Sequence, residues 1–78
     1  MTPTEADQRI ILSRRTLASY VAMASAGDGP SPLDLALIGD EIDLLEAMAE
    51  EHPGKAAKLA VLSGEWVAFM GRMRSRLH

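Results

Sequence analysis

The chain has two histidines, His52 and His78, and no cysteine, which narrows the chemistry open to it. Without thiolates there is no zinc-thiolate site, no disulfide and no cysteine nucleophile. Asp43, Glu46 and Glu50 share one face of a helix, but neither histidine joins them at ligand spacing and no calcium-loop pattern is present, so no metal is expected. Gly27-Asp28-Gly29-Pro30-Ser31 is glycine-rich and precedes a helix start, where backbone N–H groups favour anions. It lacks the lysine of a phosphate-binding loop and follows no strand, so it reads as a turn. The serines stand without a matching base. Acid–base catalysis would need two carboxylates in a cleft with separated pKa values, and a small helical protein has little room for one. The reading is therefore no enzyme and no cofactor.

Basic residues form two clusters. Arg72, Arg74, Arg76 and His78 make a tail, and Arg9, Arg14 and Arg15 make a second group. Cations at a helix C-terminus also complement the helix dipole. A net charge of −3 runs against a nucleic-acid-binding domain.

These residues are positioned by helices with well-marked ends. "TPTE" at Thr2–Glu5 places Thr2 as N-cap, Pro3 at the first helical position and Glu5 to close a capping box. "SPLD" at Ser31–Asp34 repeats the signal with Ser31, Pro32 and Asp34. Gly27 suits the left-handed residue that ends a helix. "HPG" at His52–Gly54 breaks the next one, because proline cannot continue a helix interior. No stretch alternates as a strand would. The expected fold is all-α: a single domain over 1–78, with helices at about 3–26, 32–51 and 54–76. Helices 1 and 2 should form an antiparallel hairpin, with a third, largely apolar helix added to it.

The sequence bounds size and setting as well. Seventy-eight residues bury only about 60–65% of their unfolded surface, so stability is marginal. The longest uncharged run, Thr16 to Gly27, is too short to cross a bilayer, and no secretory leader is evident. With no cysteine and an Ala/Arg/Leu-rich composition of bacterial kind, a soluble cytoplasmic protein is expected. Charge is divided unevenly: +1 over residues 1–27, −8 over 28–52, which hold eight acids and no lysine or arginine, and +4 over 53–78. An acidic middle helix offers either a solvated face or a docking face for a basic partner.

At about 100° per residue, Ala6, Ile10, Leu17, Val21 and Ala24 form one stripe on helix 1, with Ser13 and Tyr20 at its edge and Arg14 inside it. Leu12, Thr16 and Met23 lie on the far side. On helix 2, Leu33, Leu37, Leu44 and Met48 form one apolar group. Ile38, Ile42, Leu45 and Ala49 form another, with Glu41 between them. A hairpin about Gly27–Ser31 brings Arg14 level with Glu41, and the two are expected to pair between the helices.

Helix 3 has a smooth side, Ala60, Gly64, Val67 and Gly71, and a bulky side, Leu62, Trp66, Phe69 and Met73, with Met70 beside them. Glycine in a helix interior costs about 1 kcal/mol relative to alanine, so two of them suggest that another helix backbone passes close. A hairpin of two helices can cover one of these sides and not easily both. The bulky side is therefore the first choice of contact surface for a second protein: Leu62, Trp66, Phe69, Met70 and Met73, flanked by Arg72 and Arg76. On this reading Trp66→Ala would abolish partner binding and leave the helices intact.

The expected function is non-enzymatic protein binding through helix 3, a regulator that sequesters a larger factor such as a transcription activator. In size and composition only, the chain is like the small helical modulators of mobile elements: antiactivators, antitoxins and anti-sigma factors. The alternatives are a structural homodimer using the same face, and nucleic-acid binding by the C-terminal arginines of a dimer. No membrane partner is expected.

Overall fold

Both predicted start signals are built in the computed structural model, which describes residues 1–76. Thr2 Oγ1 accepts from the Glu5 N–H at 3.1 Å, and Glu5 Oε1 accepts from the Thr2 N–H at 2.9 Å. Ser31 Oγ accepts from the Asp34 N–H at 3.1 Å, and Asp34 Oδ2 accepts from the Ser31 N–H at 3.0 Å. In each case the cap satisfies backbone donors that the first helical turn leaves free, and the proline behind it supplies a preset φ. Helix α1 runs Pro3–Ser25 and α2 runs Pro32–Glu51. Gly27 ends α1 with φ 91°. The Asp28 N–H returns to Met23 O at 2.8 Å and the Gly27 N–H to Ala24 O at 3.1 Å, the paired bonds of a Schellman stop. Beyond α2, Pro53–Lys55 form one 3-10 turn before α3, Ala56–Arg76.

The three helices make a small all-α bundle. Its 38 Å length is close to that of its longest helix, 23 residues at about 1.5 Å per residue. Ala6, Ile10, Leu17 and Ala24 enter the core from α1, and Leu35, Ile38, Ile42, Leu45 and Met48 from α2. From α3 come Leu59, Leu62, Trp66, Phe69 and Met73. Lys55 Nζ donates to Asp7 Oδ1 at 2.7 Å, tying the 3-10 turn to α1.

The packing departs from the expected hairpin in one respect. The closest backbone approach is between α2 and α3, not between α1 and α2. Tyr20 and Trp66 explain this, since both line the space between α1 and α2. Two aromatic rings at that seam hold the helices apart, whereas α2 and α3 meet through aliphatic side chains and alanine.

Candidate functional site

The surface first chosen for binding is the interior of the bundle. Leu62, Trp66 and Phe69 are each 1% exposed and Met73 is 4% exposed, while Met70 is half-buried against them. The physical reason lies on α1. Ser13 is fully buried in the middle of the α1 stripe, where its small side chain leaves room for an indole and its hydroxyl oxygen gives that indole an acceptor. The Trp66 Nε1–H donates to Ser13 Oγ at 2.9 Å. Tyr20 stacks edge-on against Trp66, with centroids 6.0 Å apart and planes at 73°, and lies 6.1 Å from Phe69. A buried tryptophan whose N–H is satisfied and whose ring is packed on two sides is a core residue. Of the flanking residues, Arg72 and Arg76 are exposed, and the Arg72 guanidinium sits 6.0 Å from the Phe69 centroid. His78 of the basic tail lies outside the described residues.

The smooth side of α3 faces out. A Cβ added at Gly64 or Gly71 would meet nothing within 4 Å, so no helix of this chain passes close to either glycine.

The expected Arg14–Glu41 pair is also corrected. Arg14 is exposed, and it is Arg9 whose Nη2 donates to Glu41 Oε1. The two arginines stand about 140° apart around α1 at about 100° per residue. With Ala6, Ser13 and Leu17 pointing into the core, Arg9 falls on the flank toward α2 and Arg14 on the opposite flank.

With the bulky side of α3 enclosed, exposed large apolar side chains remain on all three helices, and two of them, Leu12 and Leu37, line one groove. A groove of about 470 Å³ runs between α1 and α2. Arg9, Leu12, Thr16 and Tyr20 line it from α1, and Leu37, Ile38, Asp40, Glu41 and Leu44 from α2, with Trp66 reaching it from α3. Leu12 and Leu37, on opposite walls, are each 54% exposed. Leu33 continues the α2 wall by helical period and is 70% exposed. Of the group Leu33, Leu37, Leu44 and Met48 that helical period marks on helix 2, Leu37 and Leu44 line the groove and Met48 is in the core; of the far side of helix 1, Leu12 and Thr16 line it. Period on either helix alone does not show that Leu12 and Thr16 face Leu37 and Leu44 across a gap. Two adjacent apolar groups on α2, too wide for one packing partner, were the available signal.

The polar groups of the groove are largely committed to holding it together. Arg9 is paired with Glu41. Thr16 Oγ1 donates to Leu12 O at 2.9 Å, within its own helix. The Tyr20 hydroxyl donates to Asp34 Oδ1 at 3.2 Å. Burial, and then the Asp34 charge, push the Tyr20 phenol above its ordinary pKa, so it stays a neutral donor. Asp34 is held below the usual aspartate range, first by the Ser31 N–H, then by the Ser31 hydroxyl and Tyr20. One carboxylate thus caps α2 and anchors the tyrosine at the groove floor. Asp40 stands exposed on the rim in no ion pair among the described residues.

A second furrow of about 410 Å³ lies between α2 and α3, lined by Leu45, Glu46, Ala49, Leu59, Ala60, Ser63, Gly64 and Val67. Among the described residues no group of acids and histidines is placed to hold a metal, and no helix is long and apolar enough to cross a membrane. No protein-family model, no curated protein and no solved structure matches this chain.

Proposed function

We propose that this protein is a non-enzymatic binding module that acts by covering a surface of a larger protein, in the manner of small antiactivators, antitoxins and anti-sigma factors. Its contact surface is the α1–α2 groove rather than the bulky side of α3. The observation that carries the reading is the pair of half-exposed leucines, Leu12 and Leu37, facing each other across an open groove floored by Tyr20, Ile38 and Trp66. Apolar side chains scattered singly over a surface need no explanation, but a continuous concave strip does. Reactive chemistry is disfavoured as its purpose, because Arg9 is paired with Glu41, Thr16 with its own helix backbone and Tyr20 with Asp34.

The test is site-specific photo-crosslinking in the cell that makes the protein. A photoreactive residue replaces Leu37 in one variant and Val61, 62% exposed on the outer side of α3, in another. Adducts to one defined larger protein at position 37, with none at 61, support the reading. Adducts only at 61, or only to a second copy of the chain, sink it.

A further inference from the structure

The shape and charge of the groove narrow what it takes, an inference that rests on reading the groove as a protein-binding surface. On α1 the lining runs from Arg9 through Leu12 and Thr16 to Tyr20, a rise of about 16 Å at about 1.5 Å per residue. That is the length of about three helical turns. The opposite wall, on α2, carries Leu37 and Leu44, and Tyr20, Ile38 and Trp66 lie at the floor. An extended segment in such a groove would leave most of its own N–H and C=O groups without protein partners, because the lining is mainly apolar and its donors Arg9, Thr16 and Tyr20 are already engaged. A helix satisfies its backbone internally and can lay an apolar stripe along the strip.

The charge of the rim then selects among helices. Arg9, the cation lining the groove, is neutralised by Glu41. Asp40 is exposed beside it, and Glu41 Oε2 is enclosed with no hydrogen-bond partner among the described residues. Of the eight acids in residues 28–52, Asp40 and Glu41 line this groove, and with Glu41 paired to Arg9 the charge left at the opening is that of Asp40. A second copy is a poor occupant. Its own groove would set one acidic rim against another. Its α3, offered head to tail, would present valine, alanine and glycine to a leucine-lined groove in a contact that does not close on itself.

We propose that the α1–α2 groove takes one amphipathic helix of about three turns from a basic partner protein, with its apolar side chains between Leu12 and Leu37 and a lysine or arginine against Asp40.

The full chain is titrated with synthetic amphipathic peptides of about 18 residues, the length at which isolated helices become tenable. All carry leucines on one helical face. Their flanks are lysine, glutamine or glutamate, and a fourth peptide scrambles the lysine version. Amide chemical shifts locate the site, and the emission of Trp66, the only tryptophan, reports occupancy. The lysine peptide is expected to perturb Leu12, Leu37, Leu44 and Trp66 and to bind at least about tenfold tighter than the glutamate peptide, a difference of about 1.4 kcal/mol. Asp40→Asn should shrink that preference several-fold, and Leu37→Asp should remove binding while leaving the unfolding midpoint in place.

Equal binding of lysine and glutamate peptides in the groove would overturn the basic partner and leave the groove reading standing. So would crosslinks from position 37 to a larger protein when no peptide binds. Binding of the scrambled peptide as tightly as the ordered one, or shifts confined to Asp43, Glu46 and Glu50, would reduce the effect to general electrostatics and overturn the inference. Peptide-free dimerisation through the groove would assign it to a second copy. No peptide binding and no crosslinks at 37 would remove both readings.

Discussion

The two furrows beside α2 are of similar size and differ in almost everything else. Between α1 and α2 the walls are leucines, the floor is aromatic, and an arginine–glutamate pair closes one end. Between α2 and α3 the lining is mostly small, with Ala49, Ala60, Ser63 and Gly64 over Leu45 and Leu59. The difference follows from where the aromatic rings went. Trp66 turns toward α1 to reach Ser13, and Tyr20 turns in to meet it. The α1–α2 seam is thereby propped open, while α2 and α3 close on aliphatic contacts. The same two rings therefore build the core and create the groove, so perturbing them should damage both, whereas changes on the second furrow should leave the groove alone.

The largest break in that comparison is Trp66→Ala. Removing a fully buried tryptophan should cost roughly 3–5 kcal/mol, a large share of the stability of so small a domain, so helical circular dichroism and cooperative unfolding should both be lost or sharply reduced. Ser13→Ala is the finer version. It leaves the indole N–H buried without its acceptor, and denaturant unfolding should register a loss of about 1–3 kcal/mol.

On the other furrow the sign reverses. Gly64→Ala adds a Cβ into open space within a helix and should stabilise by about 0.5–1 kcal/mol, seen as a higher unfolding midpoint with unchanged peptide binding in the groove. The smallest effect is that of pH. Glu5, Asp7 and Asp34 all have lowered folded pKa values, from Thr2 and its backbone, from Lys55, and from Ser31 and Tyr20 respectively. Each therefore contributes stability that is present above its unfolded value, about 4. That contribution is lost as pH falls through the lower folded value. The unfolding midpoint should drop below about pH 4, and Asp34→Asn should make the drop shallower.

The helix ends were legible because each is decided within a few residues. Thr2-Pro3-Thr4-Glu5 and Ser31-Pro32-Leu33-Asp34 carry complete caps, and Gly27 alone permits the left-handed stop. Which side of α3 turns inward was not legible. Helical period marks both a bulky and a smooth side, and only the position of Ser13 on another helix decides between them. Helical period sets Ser13 at the edge of the α1 stripe, whereas in the structure it is fully buried and meets the indole donor. The choice of Arg9 over Arg14 had the same cause, since it depends on where the centre of the α1 stripe lies to within one turn. The groove was hidden because its walls come from two helices, and no local pattern reports the gap between them.

The central claim is that this chain encloses Trp66 itself and leaves the α1–α2 groove open. Quenching of Trp66 fluorescence by acrylamide, with molar mass followed by light scattering over about a hundredfold range of concentration, tests it directly. The account predicts strong shielding in the monomer, unchanged across the range. A tryptophan freely quenched in the monomer and shielded only as dimers form would contradict it, and would return the bulky side of α3 to the role of interface.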